Sequence, residues 1–272
     1  MASTSATISS EALTQRFAAL REHGRRALVC YVTAGHPDPT QSVALLRGLE
    51  SAGADVIEVG VPFSDPLADG PVIQRASERA LASGTTLRGT LRMIHDTRSK
   101  IAVPLVLFTY ANPILRMGEE AFVKEAAAAG IDGVLVLDLP VEEAGPFRER
   151  LVGAGLDPIF LLSPTTTDER IRASAAMGRG FLYVISRLGV TGARDQIAAD
   201  AEPLVKRIRA QSDLPLALGF GISRPEHVAQ VGRWADAAVV GSALVNVIAE
   251  HGAASDVAER AGSYLRWLKG QP

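Results

Sequence analysis

Short apolar segments alternate with helical segments along nearly the whole chain, and this alternation restricts the fold more than any other feature. Buried strands that are separated by helices form parallel βαβ units. Eight such units in a 272-residue chain predict a (β/α)8 barrel, the TIM barrel architecture. The predicted strands are ALVCYVTAG (27–35), DVIEVG (55–60), VPLVLFTYAN (103–112), GVLVLDLP (133–140), DPIFLLSP (157–164), GFLYVIS (180–186), LPLALGFG (214–221) and DAAVVGSA (236–243).

A doubly wound open sheet is the alternative fold, because it is built from the same βαβ units. Such a sheet normally carries a G-x-G-x-x-G fingerprint after its first strand, where it binds dinucleotides. The sequence TAGHPDPT (33–40), at the end of the first predicted strand, does not match that fingerprint. The pattern therefore favours the closed barrel.

Helical spacing also precedes the first strand and predicts an extra N-terminal helix. Leu13, Phe17 and Leu20 form one apolar face within residues 11–23, and we expect this helix to cap the barrel floor. A long helical pattern fills roughly residues 72–99. The first ten residues, MASTSATISS, lack an apolar run and positive charge, so we expect a disordered tail followed by a single domain over 11–272.

The composition excludes several classes of function. A net charge of −2 and a pI near 6.2 give no electrostatic basis for binding nucleic acid or an anionic membrane. No apolar run approaches the ~20 residues of a membrane span. The single cysteine, Cys30, cannot form an internal disulfide, which favours the reducing cytoplasm. No cluster of His, Cys and Asp has the spacing of metal ligands, so no metal is expected.

The second predicted strand carries a carboxylate in an apolar setting. Glu58 shares one face of the strand with Gly60, and a carboxylate there is costly to bury unless it is paired, hydrogen-bonded or shifted in pKa. The loop that follows contains three prolines and the acids Asp65 and Asp69. A structural ion pair is one interpretation of Glu58. The stiffened acidic loop beside it favours a catalytic one, because barrel active sites lie at the carboxyl ends of the strands.

Glycines follow the last three predicted strands and indicate a phosphate site. Gly192, Gly221 and Gly241 lie at these strand ends, and Ser242 adds a hydroxyl. Glycine lets a backbone approach an anion closely, and barrels often bind phosphate after strands seven and eight. Each glycine alone would equally suit a tight turn. Together they predict a monoester phosphate, since Arg187 is the only basic residue at these strand ends.

Aromatic residues lie between the carboxylates and the predicted phosphate site. Phe108, Tyr110, Tyr183 and Phe220 fall near the ends of the third, sixth and seventh strands. One molecule can span both regions, with an apolar part against these rings. Core packing is the alternative role for each ring taken alone.

At this point the motifs resemble a known family, that of the tryptophan synthase alpha subunit. The longest matching motif is PFSDPLADGP (62–71), which follows the strand that carries Glu58. The resemblance extends from about residue 11 to 268. It continues through DLPVEE (138–143), SRLGVTGAR (186–194), GFGIS (219–223) and GSALV (241–245).

The resemblance implies a retro-aldol cleavage of indole-3-glycerol phosphate to indole and glyceraldehyde 3-phosphate, without a cofactor. It makes Glu58 the general acid and base, places Asp69 on the indole N–H, and places Tyr183 beside the reacting centre. The residues that it implies for substrate binding are Tyr31, Phe108, Tyr110, Thr191, Gly192, Phe220, Gly221, Gly241 and Ser242. Tyr31 departs from the phenylalanine associated with that position, and Thr191 is placed to bond to Asp69.

The resemblance also implies a partner, the beta subunit of an α2β2 heterotetramer. A stand-alone lyase that releases free indole is an alternative that the sequence separates poorly. A non-catalytic allosteric subunit is disfavoured because Glu58 and Asp69 are both present. A phosphosugar isomerase is disfavoured because no Lys or His lies at the end of the second strand. The segment 187–200 is expected to close over the ligand.

Overall fold

Eight parallel strands close into a barrel in chain order, which confirms the predicted architecture. The computed structural model describes residues 11–185, 201–219, 221–252 and 254–271. The strands are β1 (Ala27–Thr33), β2 (Val56–Gly60), β3 (Leu105–Thr109), β4 (Gly133–Val136), β5 (Asp157–Leu162), β6 (Leu182–Ile185), β7 (Leu216–Gly219) and β8 (Ala237–Val240).

Helices follow the strands and surround them. Those of the described residues are α1 (Ala12–Glu22), α2 (Ser42–Ser51), α3 (Pro71–Ala82), α4 (Leu87–Thr97), α5 (Ala111–Met117), α6 (Glu119–Ala129), α7 (Gly145–Gly153), α8 (Asp168–Met177), α9 (Ala201–Arg209), α10 (Pro225–Val231), α11 (Ser242–Glu250) and α12 (Val257–Leu268), with a 3-10 turn at Arg98–Lys100. None of them is long and apolar enough to cross a lipid bilayer.

Successive side chains of a strand point to opposite faces, so each strand contributes to two separate layers of the core. On β2, Ile57 and Val59 pack outwards with apolar residues of the helices, whereas Val56 packs inwards with Val106 and Val239 of other strands. The parallel register fixes which inward residues are neighbours. Glu58 lies beside Tyr31 of β1 and Val106 of β3, and Gly60 lies beside Thr33 and Phe108.

The N-terminal helix caps the barrel floor, as predicted. Leu13, Phe17 and Leu20 of α1 are buried in the inner layer of the core, and the rings of Phe17 and Phe181 lie 5.6 Å apart between centroids. Asp55, at the start of β2, is fully buried and bonded to Arg16 of α1 at 2.6 Å. This ion pair fixes the helix to the base of the strand that carries Glu58.

The helical sequence predicted over 72–99 is confirmed, but it is interrupted by a turn that was not predicted. The chain forms two helices there, α3 and α4, separated at Gly84, whose φ of 81° is left-handed and ends α3. Thr86 then caps α4 by accepting a hydrogen bond from the Gly89 N–H at 3.1 Å. The short helix α5 and the helix α11, which begins at Ser242, were not anticipated.

Candidate active site

Glu58 lies inside the barrel with its carboxylate fully buried. Neither carboxylate oxygen has a hydrogen-bond partner among the described residues. Burial without a partner penalises the charged form, and this raises the pKa of Glu58 from 4.5 to about 8. The strand ladders to β1 and β3 hold the backbone of Glu58 on either side and direct its side chain into the barrel. Such a carboxyl group is neutral near pH 7 and able to donate a proton.

Tyr31 and Tyr183 each pack against a glycine at the end of the next strand. A Cβ atom on Gly60 would overlap the Tyr31 hydroxyl, and a Cβ atom on Gly219 would lie 2.7 Å from the Tyr183 hydroxyl oxygen. Glycine is therefore required at both strand ends for these rings to occupy their positions. The Tyr31 hydroxyl is also within 3.3 Å of Thr33 Oγ1.

The aromatic side chains form a continuous wall above Glu58. The ring centroids of Tyr31 and Phe108 are 5.1 Å apart in an edge-on arrangement, and those of Phe108 and Tyr183 are 6.4 Å apart. Burial raises the pKa of both tyrosines well above 10, and the nearby Asp69 and Glu58 carboxylates raise it further. Both phenols therefore stay neutral and can donate hydrogen bonds.

The hydroxyl of Tyr110, directly after β3, holds Asp69 in place. The Tyr110 hydroxyl donates to Asp69 Oδ2 at 3.0 Å and accepts from the Ala68 N–H at 3.1 Å. The Gln74 amide donates to the Asp69 carbonyl oxygen at 2.9 Å. Burial raises the pKa of Asp69 to about 6, and the hydrogen bond from Tyr110 opposes that rise. Asp69 is therefore ionised at a pH where Glu58 is still protonated.

The structure shows contacts of Tyr110 that were not predicted, and its substrate-binding role stays a prediction. Its hydroxyl binds the Asp69 carboxylate, and its ring lies 5.0 Å from that of Phe63 between centroids. Asp65, the other acid of the loop, is exposed and bonded to Ser64, so the two acids of the loop have different surroundings.

Gly241 separates β8 from α11 and leaves open space at the helix start. Of the atoms in the described residues, a Cβ atom there would meet only Tyr31 Cβ, at 3.8 Å. Ser242 is the first residue of α11, and no side chain caps the helix. The first N–H groups of a helix lack intrahelical partners and attract anions, so this end of α11 suits a phosphate. Gly221, after β7, has a φ of 80°, a conformation that favours glycine.

Within the described part of the chain, Glu58 and Asp69 lie near the predicted aromatic residues Tyr31, Phe108, Tyr110 and Tyr183. Three predicted site residues, Thr191, Gly192 and Phe220, lie outside the described residues, as does the segment 187–200. Their roles stay predictions. Thr33, whose hydroxyl lies 3.3 Å from that of Tyr31, was not predicted as a site residue. Its position two residues after Tyr31, on the same face of β1, could have indicated it. Among the described residues, no three His, Cys, Asp or Glu side chains are grouped to hold a metal ion.

Comparisons with known proteins agree on one family. The family profile described as tryptophan synthase alpha chain matches residues 17–266. The tryptophan synthase alpha chain of Solibacter usitatus is 49% identical over 253 residues, which cover 93% of this chain and 95% of that protein. That of Methylococcus capsulatus is 50% identical over 250 residues, covering 92% of each.

Solved structures show the same similarity. The structure of Mycobacterium tuberculosis tryptophan synthase matches with a TM-score of 0.87 at 40% identity, covering 94% of this chain and 96% of that one. The tryptophan synthase subunit alpha of Legionella pneumophila matches with a TM-score of 0.85 at 38% identity, covering 95% and 97%. The likeness thus extends over nearly the full barrel in both sequence and structure.

Proposed function

The chain belongs to the tryptophan synthase alpha chain family, and from this premise we propose how its barrel cleaves indole-3-glycerol phosphate. The reaction gives indole and glyceraldehyde 3-phosphate, and the chain acts as a lyase. The observation that carries the proposal is the buried Glu58 carboxyl group, which has no hydrogen-bond partner among the described residues and a pKa near 8. A perturbed carboxyl group in the mouth of a barrel is suited to general acid–base catalysis.

Glu58 acts first as an acid and then as a base. Its neutral form donates a proton to C3 of the indole ring, which leaves Glu58 ionised and places positive charge on the ring. The carboxylate then accepts the proton of the glycerol hydroxyl next to the ring. The carbon–carbon bond breaks as that hydroxyl becomes the aldehyde carbonyl, and its electron pair returns to the indole ring. Glu58 ends protonated as it began, so no cofactor is required.

Asp69 stabilises the charge that forms during this cycle. Its pKa of about 6 leaves it ionised at neutral pH, and it accepts a hydrogen bond from the indole N–H. The N–H becomes more acidic as the ring gains positive charge, so this bond strengthens towards the transition state. Glu58, with the higher pKa, thus acts as the acid, and Asp69, with the lower pKa, supplies the negative charge.

The rest of the substrate is bound by the aromatic wall and the strand-end glycines. Tyr31, Phe108 and Tyr183 surround the apolar ring beside Glu58. The phosphate binds at Gly221, Gly241 and Ser242, where the uncapped start of α11 supports this assignment. Gly192, Thr191 and Phe220 complete the site in this proposal.

The partner of the chain is the tryptophan synthase beta subunit, in an α2β2 heterotetramer. Leu67, in the loop after β2, is 89% exposed, and Leu115, on α5 after β3, is 63% exposed. Both residues lie in segments that follow strand ends, at the catalytic end of the barrel, and we place the contact with the partner there. We also infer that the complex works in the cytoplasm, which the single buried cysteine supports.

Incubation of the purified chain with indole-3-glycerol phosphate, followed by an assay for released indole, tests the proposal. Wild type should release indole, and Glu58→Gln should lower the rate by ~10²–10⁴-fold, because the amide keeps the shape but cannot exchange a proton. Binding of glycerol 3-phosphate should stay near the wild-type value. Near-normal turnover by Glu58→Gln would reduce Glu58 to a structural role.

A further inference from the structure

Side chains from two helices hold the backbone of Ser223, in the loop between β7 and α10. The hydroxyl of Tyr264, on α12, donates a hydrogen bond of 3.0 Å to the Ser223 carbonyl oxygen. The Ser223 N–H donates to Nδ1 of His227, on α10, over 3.3 Å. The backbone donor and the backbone acceptor of one loop residue are therefore both bonded to side chains.

Both of these side chains are themselves fixed in place. His227 is 5% exposed, and the Tyr264 ring packs against the apolar core of the barrel. The ring of Trp267, which is 48% exposed, lies beside it on the same helix, 5.6 Å away between centroids. Burial raises the pKa of Tyr264 to about 12, so its phenol is neutral at physiological pH and remains a donor. Since α12 packs along α2 and α11, Tyr264 connects the loop to the body of the barrel.

We propose that Tyr264 and His227 are positioning residues for the phosphate-binding loop, residues 221–223. The inference rests on the proposed function, because it requires the phosphate to lie at Gly221. The Ser223 N–H is bonded to His227, and in this proposal the N–H groups of Gly221 and Ile222 bind the phosphate. Gly221 has a left-handed φ of 80°, which glycine adopts without strain but does not by itself maintain, so the hydrogen bonds at Ser223 hold the loop in one shape.

A positioning role for Tyr264 and His227 predicts different kinetics from a purely structural role. The phosphate is remote from the bond that breaks, so its contacts stabilise the bound substrate and the transition state alike. Loosening the loop should therefore raise KM while leaving kcat nearly unchanged. A general loss of folding would instead lower the melting temperature and the amount of active enzyme.

The test compares the full-length wild type with Tyr264→Phe, which removes only the hydroxyl. Titration calorimetry with glycerol 3-phosphate should show binding about fivefold weaker, as expected for one hydrogen bond worth about 1 kcal/mol. Kinetics with indole-3-glycerol phosphate should show a similar rise in KM, with kcat within about twofold of wild type. Trp267→Leu is the matched control, because it removes the neighbouring ring and keeps the hydroxyl, and it should bind like wild type.

A second pair of variants keeps the proposal falsifiable if Tyr264→Phe fails to fold. His227→Asn retains an acceptor near the position of Nδ1 and should bind close to wild type, whereas His227→Leu should bind several-fold more weakly. Equal binding by Tyr264→Phe and wild type, equal binding by the two His227 variants, or an equal loss in Trp267→Leu would each overturn the proposal. Failure of the wild type to release indole would instead overturn the proposed function itself.

Discussion

The hydroxyl of Tyr110 donates a 3.0 Å hydrogen bond to Oδ2 of Asp69, which joins the end of β3 to the loop after β2. The same hydroxyl accepts the Ala68 N–H, so one phenol fixes both the carboxylate and the backbone before it. Asp69 is also within electrostatic range of the phenols of Tyr31 and Tyr183. Tyr110 thus sets both the place of Asp69 and the pH at which it becomes ionised.

Tyr110→Phe should move the acid limb of the activity profile to higher pH. The hydrogen bond lowers the pKa of Asp69 from the value that burial alone would impose, so its loss raises that pKa above about 6. A hydrogen bond to a charged group is worth about 1.5–3 kcal/mol, which predicts a rise of about one pH unit or more. The measurement is kcat/KM for indole release between pH 5 and 9. Phe63→Leu removes the neighbouring ring and keeps the hydroxyl, so an equal shift in that variant would contradict the prediction.

Glu58→Gln should be more stable than wild type at alkaline pH. The folded chain keeps the Glu58 proton up to about pH 8, whereas an ordinary glutamate loses it near pH 4.5. The folded state therefore binds more protons in this window, and the stability that Glu58 contributes falls as pH rises from about 4.5 to about 8. Glutamine does not titrate, so its advantage should grow across the same window to the order of a few kcal/mol.

Thermal melts of the two proteins between pH 4.5 and 9 check this expectation. The difference in melting temperature should widen steadily in favour of Glu58→Gln and level off above about pH 8. Glu120→Gln, a change at an exposed glutamate on α6, should follow wild type at every pH. A constant difference between Glu58→Gln and wild type would show that Glu58 has no raised pKa in the folded protein.

The barrel was predictable from sequence because most residues of its strands are buried, on both strand faces. Parallel strands under helices read as continuous apolar runs, and Glu58 is conspicuous in such a run for that reason. The break between α3 and α4 was missed because a single glycine inside an amphipathic pattern is also tolerated within a helix. Gly84 ends α3 only because its backbone is left-handed, which the apolar spacing does not reveal.

The contacts of the site were less predictable than its residues. Asp69 and Tyr110 are 41 positions apart, and they meet because β2 and β3 pair in one particular register. The hydroxyl of Tyr31 over Gly60 likewise depends on the pairing of β1 with β2. A strand-end rule selects candidate residues from sequence. The direction and partner of each side chain follow only after the barrel closes.

Gly219 and Gly60 each lie against a tyrosine ring, and replacing that tyrosine by phenylalanine should rescue an alanine at residue 219 but not one at residue 60. An alanine Cβ at residue 219 would lie 2.7 Å from the Tyr183 hydroxyl but 3.1 Å from the nearest ring carbon. Gly219→Ala should cost about 1–3 kcal/mol of folding free energy, and Tyr183→Phe in the same chain should restore much of it. At residue 60 the ring carbons of Tyr31 themselves lie 2.5 and 2.7 Å from the added Cβ. Tyr31→Phe should therefore fail to rescue Gly60→Ala.

Urea unfolding of the four single variants and the two double variants measures both coupling energies. The expected result is a favourable coupling for the pair 183 and 219, and little coupling for the pair 31 and 60. Equal rescue at both sites would mean that the Tyr31 ring moves freely over Gly60. Such mobility would contradict the position assigned to Tyr31 beside Glu58.

Gly241→Asp should weaken phosphate binding while preserving the fold. Among the described residues, the space beside Gly241 can accommodate a side chain, and the next residue begins α11. The aspartate carboxylate would occupy the uncapped start of α11 and repel the phosphate that we place there. Calorimetry with glycerol 3-phosphate should show at least a ~10-fold loss of affinity, in keeping with one or two kcal/mol for a displaced charged hydrogen bond. Gly241→Asn separates charge from size and should lose less affinity, and Gly241→Ala should lose least. Unchanged binding by Gly241→Asp at an unchanged melting temperature would move the phosphate site away from α11.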